Sequence, residues 1–271
     1  MNIIERKMVD ALKDLRENHG VVGVKAEFEA EGTRIEEALR LKEVITRAGL
    51  NLTLKIGGCE ALRDIYEARV IGVERIVAPM IETAFALSKY LAAVKLAVPS
   101  EEQADIQFCI NVETIDGVKN FGAMLKVPEI ARLGGIVLGR VDLTGSMGLS
   151  RDDVNSEAVF TLADQVLSAA HAHGLDGTVG GGVSAHSLAF LRRLPAGALH
   201  RYETRKVIFG CPRALAPDAD AGILKAVGFE LLWLKNKRDY YGLIANEDKN
   251  RIAMLESRYR KMIEDVGGRV E

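Results

Sequence analysis

The sequence holds only three cysteines, Cys59, Cys109 and Cys211, with no CxxC spacing, so it offers neither a disulfide framework nor a zinc site. Reduced thiols in a packed interior are the expectation. It also lacks an excess of charge of either sign: 36 Lys and Arg against 38 Asp and Glu leave a formal net charge of -2. That balance excludes the overall basic field of a nucleic-acid binder. No apolar run approaches the roughly 18 residues of a membrane helix, and the opening MNIIERKMVD interleaves charges where a secretory leader has an apolar core. The expectation is a cytoplasmic protein whose partners are small molecules rather than nucleic acid or membrane. A GxGxxG fingerprint is missing too, which counts against a doubly wound, dinucleotide-binding sheet.

What the sequence does contain is a repeated change of period. Ile4, Met8, Leu12 and Leu15 recur at helical spacing, and the chain then turns strand-like over 21–29 (VVGVKAEFE). A helix follows over 33–49, with Thr33 as N-cap and Glu36 three residues on. The alternation continues with strands at 51–57, 75–81, 105–113, 135–142, 176–183 and 202–209, separated by helices at 59–71, 83–95, 116–131, 155–173 and 185–193. Strands that alternate with helices predict a parallel sheet with helices outside it, and 271 residues suit one (β/α)₈ barrel domain, an α/β fold, spanning about 20–215. Seven strands are one short of closure. Since the segment before Val21 reads as helical, either a short strand lies near the N-terminus or the barrel is irregular there. Residues 216–271 form a helical tail in two parts, an apolar block 223–234 and a last helix carrying Ile252, Leu255, Tyr259 and Met262 on one side, parted by the charged turn KNKRD. A narrow apolar seam of this kind fits either the chain's own barrel or a neighbouring subunit, the latter making a homo-oligomer.

Charges placed inside otherwise apolar strands point to a site. Alternate residues share a strand face, which groups Lys25, Glu27 and Glu29, then Thr53 and Lys55, Asn111 and Glu113, and Arg140 and Asp142. Each group lies toward the C-terminal end of its strand, where barrel enzymes assemble their chemistry. Buried charges without partners cost several kcal/mol each, so these side chains are expected to meet one another, a metal or a ligand. Glu113 and Asp142 can give two carboxylate oxygens to a hard divalent cation, with water and substrate completing an octahedron. A glycine-containing loop beside Asp142 leaves room for a ligand to approach the backbone.

The segment ETIDGVKN at 113–120, followed by GIVLGRVDLTGSMG at 135–148, resembles the paired signature of the HpcH/HpaI aldolase and citrate lyase family. KAEFEAEG at 25–32, LTLKIGG at 52–58 and GVERIVAPMIET at 72–83 extend the likeness over roughly 20–150, with GGGVS at 180–184 and YETRKVIFG keeping the order beyond it. The resemblance implies a carbon-carbon lyase in which Glu113 and Asp142 hold Mg²⁺ or Mn²⁺. It further implies a substrate of the pyruvate or related 2-oxo acid class, whose carboxylate would be met by Lys55 or Arg140. Lys25, Gly139 and Leu143 complete the expected substrate-binding set, and Glu27, Lys55 and Arg140 the catalytic one.

Two positions depart from the family pattern. Lys55 stands where the aldolases have a carboxylate-binding arginine, and Phe28 where they have the histidine base. Replacement bases are Glu27, Glu29 or His186. Glu27 can alternatively orient metal-bound water, or simply pair with Lys25. Among lesser features, Gly180–Gly182 can cradle an anion, one of Arg205 and Lys206 should face inward as a second anchor, and Glu82 is a helix-start acid. A citryl- or malyl-thioester lyase or a condensing synthase is an alternative activity, and a barrel that only binds a metabolite is another.

Overall fold

Eight short strands close into a barrel in the computed structural model, which describes residues 1–269. In chain order the elements are α1 (Ile3–His19), β1 (Val21–Glu27), α2 (Ile35–Ala48), β2 (Asn51–Lys55), α3 (Leu62–Ile71), β3 (Arg75–Ala78) and α4 (Ala84–Ala97). There follow β4 (Gln107–Val112), α5 (Ile115–Met124), β5 (Gly135–Gly139), α6 (Arg140–Ser146), α7 (Glu157–Ala172) and β6 (Asp176–Gly180). α8 (Leu188–Arg193), β7 (Arg201–Glu203), β8 (Val207–Gly210) and α9 (Ala219–Asp265) complete the chain. The last two residues of the expected 1–271 domain lie outside the described residues. No helix among the described residues is long and apolar enough to cross a membrane.

The main core fills the layer between strands and helices, where Leu52, Leu54, Ile76, Ile110 and Leu138 meet Leu41, Ile45, Tyr90 and Leu167. Burial on both faces is why the strands read as apolar runs with isolated charges instead of clean alternation. The lumen is different. Its only purely apolar cluster among the described residues is Val77, Cys109 and Val137, so the inward-facing charges above that level meet one another.

The strand missing from the sequence pattern is not at the N-terminus. The run 202–209 is two strands, β7 and β8, folded as a hairpin, and β8 pairs antiparallel with both β7 and β1 to close the barrel. The turn was hidden because it has no Gly, Pro or Asn. Thr204 closes it instead, its N–H donating to the Val207 carbonyl at 2.9 Å and its Oγ1 accepting from the Val207 N–H at 3.1 Å.

Three further local expectations are corrected. Residues 140–142 open α6 instead of ending a strand. α2 begins after Arg34, whose N–H donates to the Glu37 carboxylate, so the box uses Glu37 and not Thr33 with Glu36. KNKRD is not a turn: α9 runs unbroken for 47 residues, about 70 Å at 1.5 Å per residue. Its first third packs on the barrel through Ile223, Ala226, Phe229 and Trp233. Asn236 then accepts from Asn2 at 2.7 Å, and Lys237 and Tyr241 both donate to Glu37, which fastens the helix to α1 and α2.

Candidate active site

The carboxyl ends of β1, β2, β4, β5, β6 and β7 surround a cavity of about 360 Å³. A larger cavity, about 710 Å³, lies outside the barrel between α1, α2 and α9, and charged groups on its wall pair with one another, Glu5 with Arg40 and Glu37 with Lys237. Chemistry belongs to the first, because that is where parallel strands of different sequence position deliver side chains to one point.

Glu113 directly follows β4 and is nearly sealed from solvent, with 3% exposure. Its Oε1 accepts from the Met80 N–H at 3.0 Å and its Oε2 from Asn111 Nδ2 at 2.7 Å. Met80 donates from φ 51°, a left-handed conformation that costs a non-glycine residue on the order of 1–3 kcal/mol. Gly139 explains how β5 comes so close: a Cβ there would lie 2.6 Å from Glu113 Oε2 and 2.8 Å from Glu113 Cβ. Burial holds the Glu113 pKa above the ordinary carboxylate value, Asp142 adds to the rise, and Lys55, Met80 and Asn111 offset part of it.

Asp142, in the first turn of α6, lines the same cavity from an exposed position. Lys55 Nζ sits 3.9 Å from Glu113 Oε2 and 3.1 Å from Glu29 Oε2. Burial lowers its pKa, but Glu113, Glu29 and Glu27 outweigh that and the net shift is upward, so it stays an ammonium. Lys25 bridges Glu203 at 2.6 Å and Glu27 at 3.0 Å. For Glu27 burial raises the pKa, while the charge and hydrogen bond of Lys25 bring it below the ordinary value overall. Lys25 is thus engaged in neutralising two carboxylates, the pairing that its strand face allowed.

The structure removes two expected residues from the substrate. Arg140 is fully buried and turned away from the cavity. Its guanidinium donates to the carbonyls of Gly180 (3.2 Å), Val154 (3.3 Å) and Gly181 (3.0 Å), to Asn155 Oδ1 (2.7 Å) and to Ser187 Oγ (3.3 Å). It also lies 4.9 Å over the Phe190 ring. Burial pushes its pKa down to about 10, which still leaves it charged at neutral pH. The cause of the misplacement is the change from strand to helix at Gly139, which breaks the alternation that had put Arg140 beside Asp142. Leu143, also fully buried, belongs to the main core.

Gly180–Gly182 do line the cavity, with Gly181 at φ +76° where an added Cβ would meet the Val141 and Arg140 amides within 2.7 Å. Arg205 reaches the rim paired with Glu31, while Lys206 is buried against the same carboxylate. His186 is exposed and outside the cavity. Phe28 packs partly into the core, so no histidine lines the cavity among the described residues. Glu82 accepts from Thr114 Oγ1 at 2.6 Å.

Sequence reasoning missed Glu203, Arg151 and Glu230. Glu203 was hidden by the unrecognised hairpin, for its alternation with Arg201 is legible once β7 is separated from β8. Arg151 and Glu230 come from a 3₁₀ turn and from α9, neither of which has a strand period to read. Among the described residues Arg151 has no salt-bridge partner.

Glu27, Glu29, Glu113, Asp142, Glu203 and Glu230 face Lys25, Lys55, Arg151 and Arg205 across this cavity, a surplus of negative charge. A cation would complement that charge. No group of three or more His, Cys, Asp or Glu in metal-binding geometry occurs among the described residues. Glu113 and Asp142 are oxygen donors, the type a hard ion such as Mg²⁺ takes while keeping most of its water, unlike the Cys and His ligands of tetrahedral zinc.

Residues 28–183 match the family model described as HpcH/HpaI aldolase/citrate lyase. No curated protein matches the chain. Among solved structures, the HpcH/HpaI aldolase from Desulfitobacterium hafniense DCB-2 superposes with a TM-score of 0.60 at 14% identity, covering 83% of this chain and 89% of that one. An HpcH/HpaI aldolase/citrate lyase family protein from Burkholderia cenocepacia J2315 gives 0.57 at 17% identity, over 69% and 82%. The citrate synthase SbnG gives 0.57 at 16% identity, over 86% and 90%. At these identities the structural likeness establishes the barrel fold.

Proposed function

The chain belongs to the HpcH/HpaI aldolase/citrate lyase family, and from that membership we propose that it is a divalent-metal-dependent carbon-carbon lyase cleaving or forming a bond to the enolate of pyruvate or a related 2-oxo acid. The observation that carries this reading is the pair Glu113 and Asp142, brought from β4 and α6 to one acidic cavity. These two side chains would hold Mg²⁺ or Mn²⁺. The bound ion would supply electrophilic stabilisation of the negative charge that develops on the substrate oxygen as the bond breaks.

The chain's own groups do the rest. Lys55, held as an ammonium between Glu29 and Glu113, offers a point charge to the substrate carboxylate. Arg151 replaces Arg140 as the guanidinium at the mouth, where its planar fork can grip a carboxylate with two hydrogen bonds. Gly180–Gly182 let a substrate approach the backbone closely. Glu27, kept ionised by Lys25, is the carboxylate placed to take or return a proton through water, in the absence of an imidazole at position 28.

One observation favours a second reading, a barrel that binds an oxo acid without metal: the Lys55 ammonium already neutralises part of the Glu113 charge. Calorimetric titration with Mg²⁺ and Mn²⁺, with pyruvate present and absent, separates the two. The lyase reading expects micromolar to millimolar metal binding that Asp142→Ala and Glu113→Gln each abolish while circular dichroism stays native. If either variant keeps metal affinity and turnover, the assignment of the site is wrong.

A further inference from the structure

The barrel has a second polar chamber, at the end opposite the candidate active site. Two residues before Val77 and Cys109, which help to floor that site, stand Arg75 on β3 and Gln107 on β4. Asp176 and Arg201 open β6 and β7 and join them. Arg75 Nε donates to Gln107 Oε1 at 2.7 Å, Gln107 Nε2 to Asp176 Oδ2 at 2.9 Å, and Arg201 Nη1 to the same Asp176 oxygen at 2.7 Å. This chain of hydrogen bonds spans one half of the lumen and ends in a guanidinium on either side. The other half, toward β8, β1 and β2, is a cavity of about 80 Å³ that both arginines line together with Gly23, Asn51, Thr53 and Glu74.

The charges around this cavity do not balance. Asp176 is the carboxylate shared by the two guanidiniums, because Glu74 is engaged by the Lys42 ammonium and by the Leu52 N–H, the latter at 2.7 Å. His200 accepts from the Gly177 N–H through Nδ1 at 3.1 Å, so its proton sits on Nε2, 3.4 Å from Asp176, and the ring is neutral. Arg75 forms no salt bridge among the described residues, and Gln107 occupies only its Nε. Burial lowers its pKa and the Arg201 charge adds to the fall, as expected of like charges held close without a counterion. The Asn51 amide and the buried Thr53 hydroxyl face the same space with no hydrogen-bond partner among the described residues. An oxyanion answers all of these groups at once, since a guanidinium grips its oxygens two at a time and the amide and hydroxyl donate to the rest. The volume equals two or three waters at about 30 Å³ each, room for one tetrahedral ion and none for an ester group. We propose that the amino end of the barrel binds one free oxyanion of the phosphate or sulfate type between Arg75 and Arg201, with Asn51 and Thr53 as further donors. The ion is a structural counterion that ties β2 and β3 to β7 across the open half of the lumen. Val77, Cys109 and Val137 separate it from the candidate active site.

The test is thermal unfolding of the full-length protein in an amine buffer, with ionic strength held constant by sodium gluconate, while phosphate, sulfate, chloride, acetate or glycerol phosphate is titrated in. Phosphate and sulfate should raise the melting temperature along a saturable single-site curve, and calorimetry with phosphate should give one site per chain. Chloride, acetate and glycerol phosphate should need at least about tenfold higher concentration for the same rise, because none fills the cavity with four donor-matched oxygens. Arg75→Met should abolish the saturable rise, yet melt at or above wild type without oxyanion, since it removes the uncompensated charge. Thr53→Val keeps the side-chain shape and both arginines and should weaken phosphate binding by about tenfold, which tests the site even if Arg75→Met fails to fold. Arg151→Met, at the opposite mouth, should leave the anion response as it is. A wild type that responds to none of these anions, or to all of them alike, overturns the proposal. So does a rise that survives Arg75→Met, is indifferent to Thr53→Val, or vanishes in Arg151→Met. None of these measurements involves metal or turnover, so their outcome is independent of the proposed reaction.

Discussion

Replacing Arg140 by methionine tests the distinction between a residue that holds the site and one that holds the substrate. Methionine is of similar length and leaves no void of consequence, so the effect comes from the five donated hydrogen bonds. Three of those bonds end on main-chain carbonyls, of Val154, Gly180 and Gly181, in buried or partly buried surroundings. An orphaned buried acceptor costs roughly 1–3 kcal/mol. With one carbonyl recovering water, the two left sum to about 2–6 kcal/mol, or a fall of roughly 4–24 °C in melting temperature for a domain of this size. Lysine in place of arginine keeps the charge but cannot span five acceptors, and should fall between. The assay is thermal unfolding by circular dichroism beside pyruvate affinity by calorimetry. A methionine variant that melts with wild type but has lost its affinity would refute the reasoning and return Arg140 to the substrate.

Other predictions follow from the same geometry. Gly139→Ala should leave the barrel folded but displace Glu113, lowering Mg²⁺ affinity by about tenfold or more in calorimetry, because the new Cβ cannot coexist with the carboxylate in place. Lys25→Met should destabilise the protein by about 3–5 kcal/mol in urea, since it leaves Glu27 and Glu203 buried without their shared cation; adding Glu203→Gln should recover part of the loss. Burial raises the Glu37 pKa, but hydrogen bonds from Tyr241 and Lys237 bring it below the ordinary value of 4.5. Its contribution is therefore present above that pH and lost as pH falls through the lower folded value. Melting curves between pH 6 and 3 should show a smaller loss in Glu37→Gln than in wild type, and identical slopes would remove Glu37 from the attachment of α9.

The alternation of periods made the barrel legible, and it placed Glu113, Lys55, Lys25 and Glu27 on inward faces because a strand's side chains alternate whatever surrounds it. That rule fails where the backbone changes type. At Gly139 the strand passes directly into α6, so Arg140 and Asp142 no longer share a strand face. At Thr204 a side chain closes the hairpin that residue types usual in turns would have announced, and Glu203 went unseen. Arg151 and Glu230 reach the cavity from elements with no bearing on the strand pattern.

Local chemistry, written in the order of residues, was enough to determine a strand-helix repeat and the charges turned inward within it. Tertiary structure alone decided that β8 runs against its neighbours, that the Arg140 guanidinium is consumed by carbonyls, and which carboxylate each lysine neutralises. The reason is one of range: periodicity is set by dihedral angles within a few residues, whereas the partner of a buried charge is chosen by segments far apart in sequence that closure of the barrel brings within about 3 Å of each other.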